Sequence, residues 1–376
     1  MPSTADTIRT HALALGFDEV SIAPARPLAT GAAYRAWLDE GRHADMGYLD
    51  RHHALRVDPS VLEPGTQTVV TVLKNYYLPS DRCDGGLRIA RYAHGDDYHD
   101  DLRDRLRALA RALSDALGHE VQARPAVDSA PLLERDLAQS TGLGWVGKNS
   151  MLIHPSLGSF CFIAELLLDV HVDAPAPVVV PDRCGRCSAC MDACPTGCIV
   201  SPKVIDARRC IAYLTIENRG PIPASLRPMV RDFLFGCDLC QDVCPWNTKA
   251  GVTQDARRQT RARYHELSVQ DVLCMDQATY SATFSKSAIK RAKRRGLLRN
   301  AAVVLGNTGT PEDVELLCER LHQEPDPLVR GHIAWALGRI PDPQGVQALQ
   351  QQLQIEQDDF ARQEILDALS QPGLQR

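Results

Sequence analysis

Apolar positions in the first 175 residues switch back and forth between helical and strand periods. Thr4–Leu15 has helical periodicity, and Glu19–Ala23 then reads as a strand. Thr66–Leu73 is a β-branched run. Tyr98–Leu117 predicts a long charged amphipathic helix, and His119–Val127 a second strand. Pro131–Ser140 is helical, and Ser159–Val170 predicts a buried strand, with Glu165 inside its apolar run. This mixture is α+β or α/β, with room for a pocket. Pro175, Pro177 and Pro181 then mark a linker into a stretch that ends near Lys249.

The last third of the chain follows another rule. Ala302–Gly306 recurs as Ala334–Gly338, and Val314, Leu317 and Leu321 recur at Val346, Leu349 and Leu353 with the same offset. Leu369 continues the series Leu305, Leu337. A short helical unit of this kind buries its apolar stripe only against its neighbours, so HEAT-like paired helices are predicted rather than a plain bundle. Lys286–Arg299, just before the repeats, carries seven cations and no acid. Because the chain as a whole has net charge −5, this block is a local footprint suited to phosphate contacts of RNA or DNA. The N-terminal residues show no secretory or twin-arginine pattern, and the longest apolar run is too short for a membrane span. A reducing cytoplasm and a monomer are the expectations.

Nine of thirteen cysteines lie between Cys184 and Cys244. One run places Cys184, Cys187, Cys190 and Cys194 before Pro195. Another places Cys237, Cys240 and Cys244 before Pro245, with Cys210 alone between the two. A C-x2-C-x2-C-x3-C-P run is the ligand pattern of bacterial [4Fe–4S] proteins, whose fourth cysteine serves the other cluster. The crossed reading gives Cys184, Cys187, Cys190 and Cys244 to one cluster, and Cys194, Cys210, Cys237 and Cys240 to the second. Zinc would leave ligands over, and disulfides suit a chain without a secretory signal poorly. Cys198, Cys83, Cys161, Cys274 and Cys318 read as core thiols.

Gly142-Leu-Gly144-Trp-Val-Gly147-Lys148-Asn149 satisfies G-x-G-x-x-G and nearly a phosphate-binding loop, but in the wrong context. A helix precedes it, Pro155 follows, and Asn149 stands where Ser or Thr would hold Mg²⁺. Its glycines predict close approach of backbone to a bulky flat ligand. A base-off cobalamin signature begins at Asp169 and His171 but fails at Ala174, so a cobalamin would lack a histidine ligand.

The chain resembles the epoxyqueuosine reductase family over nearly its whole length. The resemblance rests on Ala90–His99, Val127–Arg135, Gly142–Asn149, the two cysteine runs, Arg209–Gly220 and Lys286–Arg299. Cys198 departs from the family pattern, where alanine is more usual. The resemblance implies an N-terminal cobalamin-binding catalytic domain (1–175), a ferredoxin-like module with two [4Fe–4S] clusters (176–250), and a basic segment with HEAT-like repeats (251–376). It implies reduction of epoxyqueuosine to queuosine at the tRNA wobble position, with electrons from a reducing donor passing through the clusters to cobalamin. Asp128 matches the family's proposed acid; an N-cap of a helix starting at Pro131 is its plain alternative. Burial against the macrocycle would raise its pKa. Arg91, Tyr98 and Lys148 are the other expected contacts to cobalamin or nucleoside. A corrinoid iron–sulfur reductive dehalogenase is the alternative enzyme class.

Overall fold

The computed structural model describes residues 3–371. Met1 and Pro2, on which the reading of the N-terminus falls, and 372–376 of the repeat region lie outside it. The chain forms two compact units that interleave in sequence: 1–79, 97–208 and 239–258 in one, 80–96, 209–238 and 259–376 in the other.

The first unit is built on a four-stranded sheet. Its spatial order is Glu19–Pro24, Thr68–Asn75, Cys161–Leu168, Ala123–Ala126. Every ladder is antiparallel. The N-terminal domain is therefore α+β and not α/β; alternating helix and strand signals do not fix strand direction. All eight residues of Thr68–Asn75 are buried, so both faces of the sheet are covered. Thr4–Ala14 starts on a Ser3 capping box and packs against Tyr98–Leu117, which ends at Gly118 in the left-handed conformation. On one face Val69 and Leu167 pack with Leu137, and Leu73 and Ile163 with Ala138, so the Glu134–Ser140 helix covers that face. The strand predicted at His119–Val127 shortens to Ala123–Ala126; it is an edge strand, the place where Pro125 can lack an N–H. The helix predicted from Pro131 begins at Glu134, because Leu133 and the residues before it form a loop.

In the second unit Phe233–Phe235 pairs in parallel with Arg88–Ile89. Helices Lys293–Thr308, Pro327–Leu337 and Asp359–Leu369 stack in succession, and Val314–Gln323 packs against Pro343–Ile355. The predicted paired-helix array is thus present. Its recurring glycine has a steric cause: a Cβ on Gly306 would lie 2.3 Å from the Trp335 ring, and one on Gly338 2.9 Å from the Ala368 Cβ.

Candidate active site and cluster-binding cysteines

Cys184, Cys187, Cys190 and Cys244 line one cavity of about 500 Å³. Two short helical turns, Ala189–Asp192 and Leu239–Asp242, pack together and bring the two cysteine runs to it. Four sulfurs facing one hollow are the donor set a cubane cluster needs. Lys148, Arg183 and Lys249 line the same cavity. Behind it Trp145 meets Trp246 edge-to-face at 4.8 Å, in a cluster with Ile153 and Cys244. Of the other predicted ligands, Cys194 and Cys240 belong to this first unit and Cys210 and Cys237 to the second. Cys198 is buried, as predicted, and its sulfur lies 3.4 Å from that of Cys194, in hydrogen-bond range. Cys83 is a buried core thiol, its pKa pushed up to about 12 by burial and then by Asp84 and Asp81. Cys161 is half-buried, and its thiol is likewise raised, chiefly by burial. Cys318 is buried, whereas Cys274 is exposed, at the end of a short helix, and is not a core residue.

Lys148 Nζ donates to the carbonyls of Gly185 and Cys187, both at 2.8 Å. It fastens the first cysteine loop. The neighbouring glycines do not make way for a flat ligand. A Cβ at Gly142 would strike the Val178 carbonyl, and one at Gly144 the Ile153 carbonyl; Gly147 meets the Ile153 side chain. They admit the protein's own chain.

Asp128 sits in the loop between the Ala123–Ala126 strand and the Glu134–Ser140 helix, with φ +49°. Its Oδ2 accepts from the Tyr98 hydroxyl at 2.7 Å and faces His99 Nε2 at 3.1 Å. It caps no helix: the Glu134–Ser140 helix has Leu133 at its N-cap without a side-chain bond. Nor is it buried, since 59% of its side chain is exposed. His99 Nδ1 lies 2.7 Å from Asp97 Oδ1, so both ring nitrogens are engaged by carboxylates. Tyr98 stacks on Phe162 at 4.1 Å, which fixes the hydroxyl that Asp128 receives.

The Asp128 main-chain N–H donates to the Glu134 carboxylate. That bond holds the loop in a left-handed conformation that non-glycine residues adopt at a cost. Beneath it lies Glu165, 0% exposed, cross-strand from Thr71. Neither carboxyl oxygen of Glu165 has a partner. Burial raises its pKa to about 8, which favours the neutral acid. Glu134 is also pushed up, by burial first and then by the charges of Glu165 and Asp128. His99, Glu134 and Glu165 were not predicted as site residues. Glu165 had a signal, a lone acid in the apolar run Phe160–Val170.

Arg91 belongs to the second unit, where its main-chain N and Nη1 both contact Asp238 Oδ2, at 2.8 and 3.1 Å. The basic run Lys286–Arg299 does not form one solvated face. Arg299 is buried and donates to the carbonyls of Leu214, Asn218 and Gly220. Arg294 holds Glu324 and the Met275 carbonyl; Arg291 holds Glu217 and Arg295 faces Asp326. Lys286, Lys290 and Lys293 are exposed.

Three family models match: "Epoxyqueuosine reductase QueG, DUF1730" over 56–129, a 4Fe-4S double cluster binding domain over 183–247, and HEAT repeats over 286–370. The double-cluster match contains all eight predicted ligands. Epoxyqueuosine reductase of Salmonella typhimurium is 38% identical over 341 residues, 89% of this chain and 88% of that one. A crystal structure of epoxyqueuosine reductase with an epoxyqueuosine-modified tRNA-Tyr stem loop superposes with a TM-score of 0.89, at 28% identity and 99% coverage of both chains. The Bacillus subtilis enzyme, with its catalytic aspartate loop swung out of the active site, gives 0.86 at 28% identity, covering 97% of this chain and 98% of that one. The chain belongs to the epoxyqueuosine reductase family and is an oxidoreductase.

Proposed function

We propose that this chain reduces epoxyqueuosine to queuosine at the wobble position of tRNA, with Asp128 as proton donor, two [4Fe–4S] clusters as electron carriers and cobalamin as the second cofactor. The observation that carries the electron route is the single cavity lined by Cys184, Cys187, Cys190 and Cys244. Cys194, Cys210, Cys237 and Cys240 are the ligands left for the second cluster within the double-cluster match.

Removing an epoxide oxygen as water takes two electrons and two protons. Clusters pass electrons singly, and a bound cobalamin supplies a centre that can hold both. Tyr98, His99 and Asp128 would border such a cofactor, and His99, with both ring nitrogens facing carboxylates, would not be among the groups that hold it. Tyr98 and its stack on Phe162 give a rigid aromatic support, and the exposed Asp128 carboxyl is open to the leaving alkoxide. Lys148 fastens the cluster loop, and Arg91 pairs with Asp238.

Of the basic run, Lys286, Lys290 and Lys293 are the cations offered to tRNA phosphates of the anticodon region. Among the described residues no helix is long and apolar enough to cross a membrane. The many thiolate ligands suit a reducing cytoplasm and an external one-electron donor; the working unit is a monomer. The test is nucleoside analysis of epoxyqueuosine-containing tRNA incubated with reduced, cobalamin-supplied protein. Queuosine should accumulate; unchanged epoxyqueuosine, in protein that has bound iron and corrinoid, refutes the reading.

A further inference from the structure

We propose that His99 is the proton store of this site, passing its Nε2 proton to Asp128 and being recharged through Asp97. The inference rests on the reading of Asp128 as the acid. Each turnover consumes two protons, and one carboxyl group delivers only one at a time. Asp128 is mostly exposed, and two donors, Tyr98 and His99, point at one of its oxygens. The proton that replaces the one given away must come from a group next to it.

His99 is built for that. Its ring bridges Asp97 Oδ1 at 2.7 Å and Asp128 Oδ2 at 3.1 Å, and it stacks on Tyr98 with ring centroids 4.0 Å apart. The stack fixes the plane in which both nitrogens meet carboxylates. The charged groups acting on the ring are those two aspartates; the Tyr98 face is neutral. Burial works against an imidazolium, but hydrogen bonds and charges from Asp128 and Asp97 outweigh it and lift the ring to about 9. A raised histidine keeps its proton, and the stabilisation that goes with it, below the ordinary value; both are lost as pH climbs through the raised one.

The balance is simple. Two C–O bonds of the epoxide break and one C=C π bond forms, consuming two electrons from a low-potential one-electron donor and two protons. The first proton moves from His99 Nε2 to Asp128 Oδ2 and on to the alkoxide. The second follows the same line after His99 is reprotonated from solvent by way of Asp97, which is half-buried. Tyr98 donates to Asp128 throughout and is a positioning residue.

The test is an NMR pH titration of the His99 ring in the full chain, together with single turnover of the reduced, cobalamin-loaded protein. His99 should titrate well above the ordinary histidine value of about 6.5, and Asp128→Asn and Asp97→Asn should each bring it down. His99→Gln, which can hydrogen-bond but not relay, should slow single turnover at least about tenfold and change its pH profile, while iron, corrinoid and tRNA binding hold. A ring titrating at or below about 6.5, or a His99→Gln protein with the parent's rate and profile, overturns the proposal. Full turnover in Asp128→Asn would instead sink the acid role of Asp128, whatever the His99 midpoint. Should His99→Gln fail to fold, the titrations in the two aspartate variants still decide.

Discussion

The cysteine cavity and the Asp128 site lie in the same unit and are assembled by opposite means. The cavity draws three sulfurs from seven consecutive residues, and the fourth from a second short turn. Spacing alone nearly determines it. The Asp128 site draws Asp97, Tyr98 and His99 from the start of one helix, Asp128 from a loop, Glu134 from another helix and Glu165 from the middle of a strand. Nothing in their spacing announces that they meet. Local sequence can specify a metal-binding loop because the ligands share one stretch of backbone. A proton-handling site depends on tertiary packing, which brings together residues that are chemically ordinary when read singly.

The two sites come apart most clearly at Asp128. Asp128→Asn should lower single-turnover rate by about a thousandfold while iron and corrinoid content stay at the parent level. Asparagine enters the left-handed region readily, so this substitution removes charge chemistry while sparing the loop. Parallel loss of iron would mean that the two sites are not separable.

A smaller effect is expected at Glu165. Its ordinary pKa is 4.5 and burial lifts it to about 8 in the folded chain. Below 4.5 the acid is neutral folded or unfolded, and costs nothing through ionisation. Through the window up to about 8 the unfolded chain gains by ionising and the folded one does not, so stability falls as pH rises. Glu165→Gln should flatten that slope in denaturant melts between about pH 5 and 8. An unaltered slope would show that Glu165 does not carry the linkage.

Least is expected at Cys198, whose sulfur lies 3.4 Å from that of Cys194, where either can donate. If Cys194 is a cluster ligand, Cys198→Ala should shift one cluster's midpoint to more negative potential, with all iron retained, because hydrogen bonds to sulfur raise cluster potentials. Redox titration followed by EPR reads it. Two unshifted midpoints would leave Cys198 a packing residue.

Much of the architecture was legible. Tyr98–Leu117 appears with its predicted bounds, and the repeat offset marked the stacked helices. What failed did so for physical reasons. Periodicity sees neither strand direction nor the loop that delays the Glu134–Ser140 helix. Composition sees a basic run, but not that Arg299 is spent on three backbone carbonyls and Arg294 on Glu324. Glycines read as room for a ligand were room for Val178 and Ile153. Glu165 was visible as an oddity, but a strand period gives no hint that its carboxyl lies unpartnered beside Glu134.

The bare Cα atoms of Gly306 and Gly338 carry a consequence for the helical array. Glycine inside a helix is unfavourable by about 1 kcal/mol relative to alanine. Here the missing methyl lets an indole or a neighbouring helix lie directly on the main chain, so the pitch of the stack is written in two absent side chains. A single added carbon at Gly306 would wedge successive layers apart and change the curvature of everything that follows.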